Sequence, residues 1–334
     1  MSRADRVDDG GYASLTTEEQ VDVLRDVARE GALAFGLDSV EVQLVAHAFN
    51  TTFRVEGADG ERVAVRVNTN SLSTPGHITA QHAWMRALAS DTDLRLPVPL
   101  QTVSGSDYAV VRTDDHDHVV VAASWLEGDE VGECDEVQAR ALGRAMAAMH
   151  AHAEAWTMPE DGGLSEFTDP YFGDEDRLRD AYRHRPEDLA LVEWSLERCQ
   201  AAMTAAAETD RPIVVHGDLH GGNLLWHEGV LGVLDFDDCG IAVPAVDLAV
   251  ATFYLRGSDP QVEAALRAGY AEVRELPGVV EDGGFDGLVA ARQLLLANDL
   301  LQSRTAELQE LAVGYLERTV ERLGRWREGG RFTL

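Results

Sequence analysis

The sequence predicts an α+β protein of two lobes, a small antiparallel β-rich N-lobe and a larger, mostly helical C-lobe. Three observations predict it. Short runs of alternating apolar residues bounded by turn formers crowd the segment 37–123. Helical periodicity dominates from residue 129 onward. Between them, Glu127-Gly128-Asp129 breaks the pattern. The 334 residues suit roughly two domains of about 150 residues each, and a 45% apolar fraction supplies a sizeable core. The expected division is an N-terminal extension and helix over 1–36, the N-lobe over 37–123, a hinge over 124–128 and the helical lobe over 129–334.

Thr16 with Glu19 forms a capping-box pattern ahead of an amphipathic stretch carrying Val21, Leu24, Val27, Ala28 and Leu33. Val40, Val42 and Leu44 then alternate with polar residues, and strand-like runs Thr51–Glu56 and Arg62–Val67 flank a turn at Asp59-Gly60. A polar loop from Asn68 to Pro75 leads into a helix over about His77–Ser90, and strands follow over Tyr108–Arg112 and His118–Leu126. Helices are then expected over Asp135–Trp156, Glu187–Thr209, Val246–Arg256 and Pro260–Val273, with one last helical region over Phe285–Arg327. Short strands Ile213–Val215, Leu224–Trp226 and Val230–Phe236 interrupt them. No internal repeat or low-complexity tract is evident.

Arginine and lysine together number 28 against 59 acidic residues, a formal net charge of -31, and no lysine is present. This excess repels phosphate backbones and anionic head groups, so neither nucleic acid nor a membrane is an expected partner. Without lysine there can be no Schiff-base chemistry and no Walker-type phosphate lysine. Acidic residues spread along the whole length match the composition of halophilic proteins, whose carboxylates keep the surface hydrated while salt screens their repulsion. An ordinary acidic protein is the plainer alternative. Cys134, Cys199 and Cys239 form no C-x-x-C pair, which argues against a disulfide framework or thiolate zinc site. The polar start Met1–Asp9 and the lack of an ~18-residue apolar run suggest a cytoplasmic protein.

The chemistry concentrates in His216-Gly217-Asp218-Leu219-His220-Gly221-Gly222-Asn223, followed by Leu234-Asp235-Phe236-Asp237-Asp238. H-x-D-x-x-x-x-N, then a strand and D-F-x, is the catalytic-loop and metal-loop spacing of kinases. Phosphoryl transfer needs a carboxylate beside the attacking hydroxyl and oxygen ligands holding a metal on the nucleotide phosphates. Asp218 suits the first need, while Asn223 and Asp235 suit the second. Two carboxylates and an amide make a hard-oxygen site suited to Mg²⁺. A zinc-type H-x-D-x-H cluster is the alternative, and it leaves Asn223 and Asp235 unexplained.

With these segments, Asp247-Leu248-Ala249, Phe49–Val55, Val63–Arg66 and Trp125–Gly128 stand in a matching order. Over about residues 40–300 the sequence resembles the aminoglycoside phosphotransferase/choline kinase-like family, most of all its homoserine-kinase-like members. The resemblance implies a two-lobed protein-kinase-like fold and a phosphotransferase that uses ATP and Mg²⁺ on the hydroxyl of a small metabolite. A protein Ser/Thr kinase of the same fold and a nucleotide-binding pseudokinase are the alternatives. By resemblance, Asp218 is the catalytic aspartate, with His216 in the same loop. Asn223 and Asp235 are metal ligands, assisted by Asp237. Asp247 supports the loop, as His216 does in a structural reading. His220 either reaches substrate or bonds its own turn.

Departures from the family pattern are informative. Arg66 occupies the place of the strand lysine that contacts nucleotide phosphates, and a guanidinium is permanently charged but differs in reach. Its expected helical partner is a glutamate, yet His77–Ser90 carries no carboxylate and Gln81 aligns there. The phosphate-covering loop lacks glycine, leaving the amides around Asn50 and Thr51 as contacts. For adenine, the resemblance implies the Ser124 carbonyl and Leu126 amide, over a floor of Leu225 and Leu234; ordinary core packing accounts equally well for those two leucines. The acceptor pocket is expected to draw on the stretch Asp161–Arg185.

Overall fold

The computed structural model describes residues 12, 15–57, 60–71, 73–113, 116–257, 259–280, 284–303 and 305–334, with only the backbone of Ser39 and Val40. Met1–Asp9 and Asp59 of the expected turn lie outside these residues. Contacts divide the chain into two compact units. One takes residues up to Ser73, Val98–Trp125 and Gln302–Val313; the other takes Thr74–Pro97, Leu126–Leu301 and Gly314–Leu334. The units therefore interleave in sequence, where the expected division was linear. Segment 74–97 belongs with the helical unit, and 302–313 with the β-rich one.

In the β-rich unit, α1 (Thr17–Ala34) begins at the expected capping box: the Glu19 amide donates to Thr16 Oγ1 at 3.3 Å, and Glu19 Oε2 accepts from the Thr16 amide at 2.9 Å. Val21, Leu24, Val27 and Ala28 are buried, but Leu33 is 56% exposed and Ala32 is buried instead. Twelve residues after Val21, Leu33 lies about 120° around the helix from it, off the apolar stripe. Five strands, β1 (Ser39–His47), β2 (Thr51–Gly57), β3 (Arg62–Val67), β4 (Ala109–Arg112) and β5 (Asp117–Ser124), form an antiparallel sheet in the order β1-β2-β3-β5-β4. Phe53, Val55, Val63, Val65, Val67, Val120 and Ala122 share one buried cluster with the inner face of α1. The alternation expected through Leu44 fails because β1 shifts register between Ser39 and Glu41 and again between Leu44 and Ala46, and Leu44 is exposed.

The helical unit contains α2 (Pro75–Asp91), β6 (Asp129–Glu130), α3 (Glu136–Ala153), the one-turn α4 (Leu178–Ala181), α5 (Pro186–Thr209), β7 (Ile213–Val215), β8 (Leu224–His227), β9 (Val230–Val233), β10 (Gly240–Ala242), α6 (Pro244–Leu255), α7 (Pro260–Ala271) and α8 (Phe285–Leu300). Helices α3 and α7 meet through two glycines. A Cβ on Gly143 would fall 2.0 Å from the Leu266 carbonyl oxygen, and one on Gly269 2.0 Å from that of Arg140. Helix α6 is buried on nearly every side from Pro244 to Phe253, as its almost unbroken apolar sequence demands.

The last helical region is two helices, α8 and α9 (Ala306–Gly329), rather than one. Between them Thr305 is wholly buried, donating to the Ala48 carbonyl at 2.8 Å and accepting from Asn70 Nδ2 at 2.7 Å. These bonds to the β-rich unit's own turns hold the break. The strand expected over Val230–Phe236 stops at Val233, since Asp235 takes a left-handed conformation with φ 53°.

Candidate active site

Strand β7 is fully buried and pairs with β10, aligning Val215 with Gly240. Emerging from it, the chain turns at Gly217, whose φ is +83° and where a Cβ would lie 2.4 Å from the Asp238 carbonyl oxygen. Only glycine fits there. His216 is fully buried, its ring 4.5 Å from that of Phe236. Its Nδ1 accepts from the Asp218 amide at 3.3 Å and its Nε2 meets the Leu234 carbonyl at 2.9 Å, which assigns the proton to Nε2. Both ring nitrogens are thus engaged inside the loop, which removes His216 from any zinc site.

Asp247, at the start of α6, takes the amides of His216 at 3.3 Å and Gly217 at 2.9 Å, one on each carboxylate oxygen. His150 of α3 meets the same carboxylate at 3.0 Å, and its other ring nitrogen meets the Tyr270 hydroxyl at 2.9 Å. Complete burial opposes ionisation of Asp247. The His150 hydrogen bond and the Gly217 amide outweigh it and bring the carboxyl below its ordinary range.

Asp218 is held at both oxygens. Oδ1 accepts from Arg292 of α8, and Oδ2 accepts from Asn223 Nδ2 at 3.0 Å. Asn223 Nδ2 also donates to the Asp218 carbonyl at 2.9 Å. His220 Nδ1 accepts from the Gly222 amide at 3.0 Å, so its proton sits on Nε2, 3.5 Å from Asp218 Oδ2. His220 therefore bonds both its own turn and the site. Burial pushes the Asp218 carboxyl up, but Arg292 first and His220 next bring it below the usual range.

Asn223 and the segment carrying Asp235 are tied by the Leu234 amide, which donates to the Asn223 carbonyl at 2.8 Å. Asn223 commits its amide nitrogen to Asp218, leaving its side-chain oxygen as the ligand-type atom. Asp235 is exposed, whereas Asp237 is buried and its carbonyl accepts from His77 Nε2 at 2.9 Å. An amide oxygen and carboxylates fit a hard divalent cation. Among the described residues no group of three or more His, Cys, Asp and Glu is arranged to hold a metal ion. Asp238, not singled out from the sequence, meets solvent among Asp218, Asp237 and Asp235. Crowding by protein atoms and these three charges raise its carboxyl well above the ordinary range, against the pull of Arg292.

The remaining residues distribute unevenly. Arg66 is half-buried on β3, opposite Thr52 and Val121 and on the face away from Val65 and Val67. The Thr51 side chain is fully buried and bonded to His47 Nδ1 at 2.8 Å and Thr69 Oγ1 at 3.0 Å, so any ligand contact falls to its main chain. Asn50 Oδ1 accepts from the amides of Thr69 and Ser71, at 3.0 and 3.3 Å. Ser124 closes β5 and its hydroxyl accepts from the Val98 amide at 2.9 Å. In the helical unit, Leu126 lies over Gly232, where a Cβ would meet the leucine side chain at 2.8 Å, while Leu225 and Leu234 are half-buried. Gln81 is buried, and its Oε1 has no hydrogen-bond partner among the described residues.

Arg292, Tyr254 and His150 were not singled out by the sequence. A signal for Arg292 was available: Arg292-Gln293 is the polar interruption of the apolar run Leu288–Ala297, and a buried cation demands a partner. A cavity of about 840 Å³ is lined by Asp169, Asp174, Asp176 and Arg179 together with Glu197 and Gln200 of α5. Half of its lining comes from the stretch expected to serve the acceptor and half from α5, and none of Asp218, Asn223 and Asp235 lines it.

The fold is kinase-like. A solved structure of a microcompartment-associated aminopropanol kinase superposes with a TM-score of 0.72 at 21% identity, covering 93% of this chain and 99% of that one. Amicoumacin kinase hAmiN, in complex with AMP-PNP, Ca²⁺ and Ami, gives 0.69 at 17% identity over 91% and 94%. In sequence, an uncharacterised protein of Deinococcus radiodurans is 28% identical over 234 residues, 68% of this chain, and the amicoumacin kinase of Bacillus subtilis is 23% identical over 218 residues, 64% of this chain. The matched regions span 66% and 63% of those relatives' own lengths, just under two thirds. The profile of the phosphotransferase enzyme family matches residues 41–279. The chain belongs to that family.

Proposed function

We propose that this protein is an ATP-dependent kinase that transfers the terminal phosphoryl group to a hydroxyl of a small molecule, with Mg²⁺ as its metal. The observation that carries the reading is Asp218, a carboxylate fixed at both oxygens yet still 17% exposed. It is tied through Asn223 to the exposed Asp235. The small-molecule kinases among the structural relatives support it further.

Asp218 accepts a hydrogen bond from the acceptor hydroxyl and turns its oxygen toward phosphorus. With its ionised form favoured by Arg292 and His220, it orients that hydroxyl in the ground state, and rate comes from positioning and charge stabilisation. Asn223 and Asp235, with Asp237 behind them, would hold the metal, which neutralises phosphate charge when bound. Arg66 is proposed for the nucleotide phosphates, with Asn50 and Thr51 contributing main-chain contacts, Ser124 and Leu126 the adenine edge, and Leu225 and Leu234 its floor. We assign His216, Asp247 and the Gly222-facing nitrogen of His220 to the shape of the loop. The assembled trio of Asp218, Asn223 and Asp235 favours a working enzyme over a nucleotide sensor. Among the described residues no helix is long and apolar enough to cross a membrane.

The test is ATP consumption with Mg²⁺ against a panel of hydroxyl compounds, including amino alcohols, homoserine and sugars, in high potassium chloride. We expect acceptor-dependent ADP release that Asp218→Asn abolishes. Equal ADP release by the Asp218→Asn variant would remove the assignment.

A further inference from the structure

Arg292 lies on α8, 75 residues beyond Gly217 in sequence, and its side chain is only 4% exposed. The guanidinium does not merely neutralise a charge. Its Nη2 donates to Asp218 Oδ1, while Nε and Nη2 also reach the Tyr254 hydroxyl on α6 at 3.3 and 3.0 Å. Its central carbon stands 5.6 Å from the centre of the Tyr254 ring. His220 packs against the same ring at 4.6 Å between centroids, tilted by 33°. Two helices therefore converge on one carboxylate through one planar fork.

We propose that Arg292 is a positioning residue for phosphoryl transfer, fixing the Asp218 carboxylate in the orientation that receives the acceptor hydroxyl. The inference rests on the kinase reading above and adds to it a residue outside the loop and metal segments. Three arguments support it. Asn223 holds Oδ2 from within the loop, and among the described residues only Arg292 holds Oδ1, so without it the carboxylate is anchored at one oxygen and can swing about that contact. A buried ion pair is seldom more stabilising than apolar residues of similar volume. In the apolar run Leu288–Ala297 an apolar residue would pack at this position without a partner, so stability alone does not account for arginine. Finally, Asp218, Asp235, Asp237 and Asp238 crowd one site, and a fixed cation among them lowers the repulsion that would spread the carboxylates apart.

The fork matters as well as the charge. A lysine at this position would carry one ammonium able to face Asp218 but no planar pair of donors to bridge it to Tyr254.

The experiment compares wild type with Arg292→Met, Arg292→Lys and Tyr254→Phe, using Mg-ATP turnover with the best acceptor from the panel and, in parallel, with water. The expected result is a split. Arg292→Met loses about 100-fold in kcat, the size expected for a misplaced reacting group, with KM for ATP within twofold. Arg292→Lys recovers part of that loss, and Tyr254→Phe loses several-fold. Hydrogen exchange of the amides from Gly217 to Asn223 is read on the same proteins, whether or not they turn over. We expect faster exchange in this loop in Arg292→Met, with the protection of α3 and α7 unchanged. Arg292→Met with wild-type kcat, a rise in KM for ATP at constant kcat, or unchanged loop exchange would each overturn the proposal. No ATP turnover by wild type with any acceptor would instead remove the kinase reading, while the exchange measurement would still judge the contact.

Discussion

The carboxylate of Asp247 spans two consecutive main-chain amides, those of His216 and Gly217, at 3.3 and 2.9 Å. One helix-start side chain thereby fixes the entrance of the loop that carries Asp218. Its removal leaves two buried donors and His150 without their acceptor. We expect Asp247→Ala to lose several kcal/mol of stability, since each buried donor left without its acceptor costs about 1–3 kcal/mol. Asp247→Asn, retaining one acceptor oxygen, should lose about 1–3 kcal/mol. Denaturant unfolding measures both.

The same carboxylate gives a signed pH dependence. Its folded-state value lies below its unfolded one, so its contribution is fully present above the unfolded carboxylate value of about 3.9. It is lost as pH falls through the lower folded value. Thermal melts of wild type from pH 7 to pH 3 should show a steeper acid loss than Asp247→Asn; parallel curves would contradict the assignment.

Gly217 offers a local test of the loop. Alanine there must adopt φ +83° and place a methyl group against the Asp238 carbonyl, which forces the two segments apart. We expect Gly217→Ala to lose most phosphoryl transfer and to melt below wild type. An active, equally stable variant would mean that the loop relaxes at little cost.

Asp218 and Asp235 should separate chemistry from binding. Asp218→Asn is expected to bind Mg-AMP-PNP within a few-fold of wild type while losing about 10²–10⁴ in turnover. Asp235→Asn should weaken binding at least about tenfold in the presence of Mg²⁺ and have little effect without it. Calorimetric titration with and without the metal distinguishes them.

A net charge of -31 predicts a stability that depends on screening. Repulsion between surface carboxylates reaches about 10 Å at 0.1 M salt and about 3 Å at 1 M. The melting temperature should therefore rise between about 0.1 and 2 M potassium chloride. A flat dependence would favour the ordinary acidic reading of the composition over the halophilic one.

Much of the fold was legible because it is written locally. The Thr16-Glu19 capping box, the β2 and β3 alternation and the strand at Ile213–Val215 all depend on neighbours a few residues away, and the structure has them where the periodicity puts them. The family, too, was legible from the Asp218, Asn223 and Asp235 spacing. What failed locally was decided at a distance. Leu44 turns outward because of bulges set by pairing with β2, and the final helical region breaks because Thr305 bonds to Ala48 and Asn70. Neither partner is visible within a helical or strand-sized window.

The candidate site divides in the same way. By itself the sequence determined an acidic, lysine-free member of the phosphotransferase family with an oxygen-rich motif at Asp218, Asn223 and Asp235, since catalytic-loop chemistry is encoded by residue type at short spacing. Only the tertiary structure decided that Arg292 grips Asp218, that His150 and Asp247 brace the loop, and that Thr51 spends its hydroxyl on its neighbours. The reason is physical: a buried charge must find its partner wherever the packing of helices brings one, and that pairing carries no fixed distance along the chain.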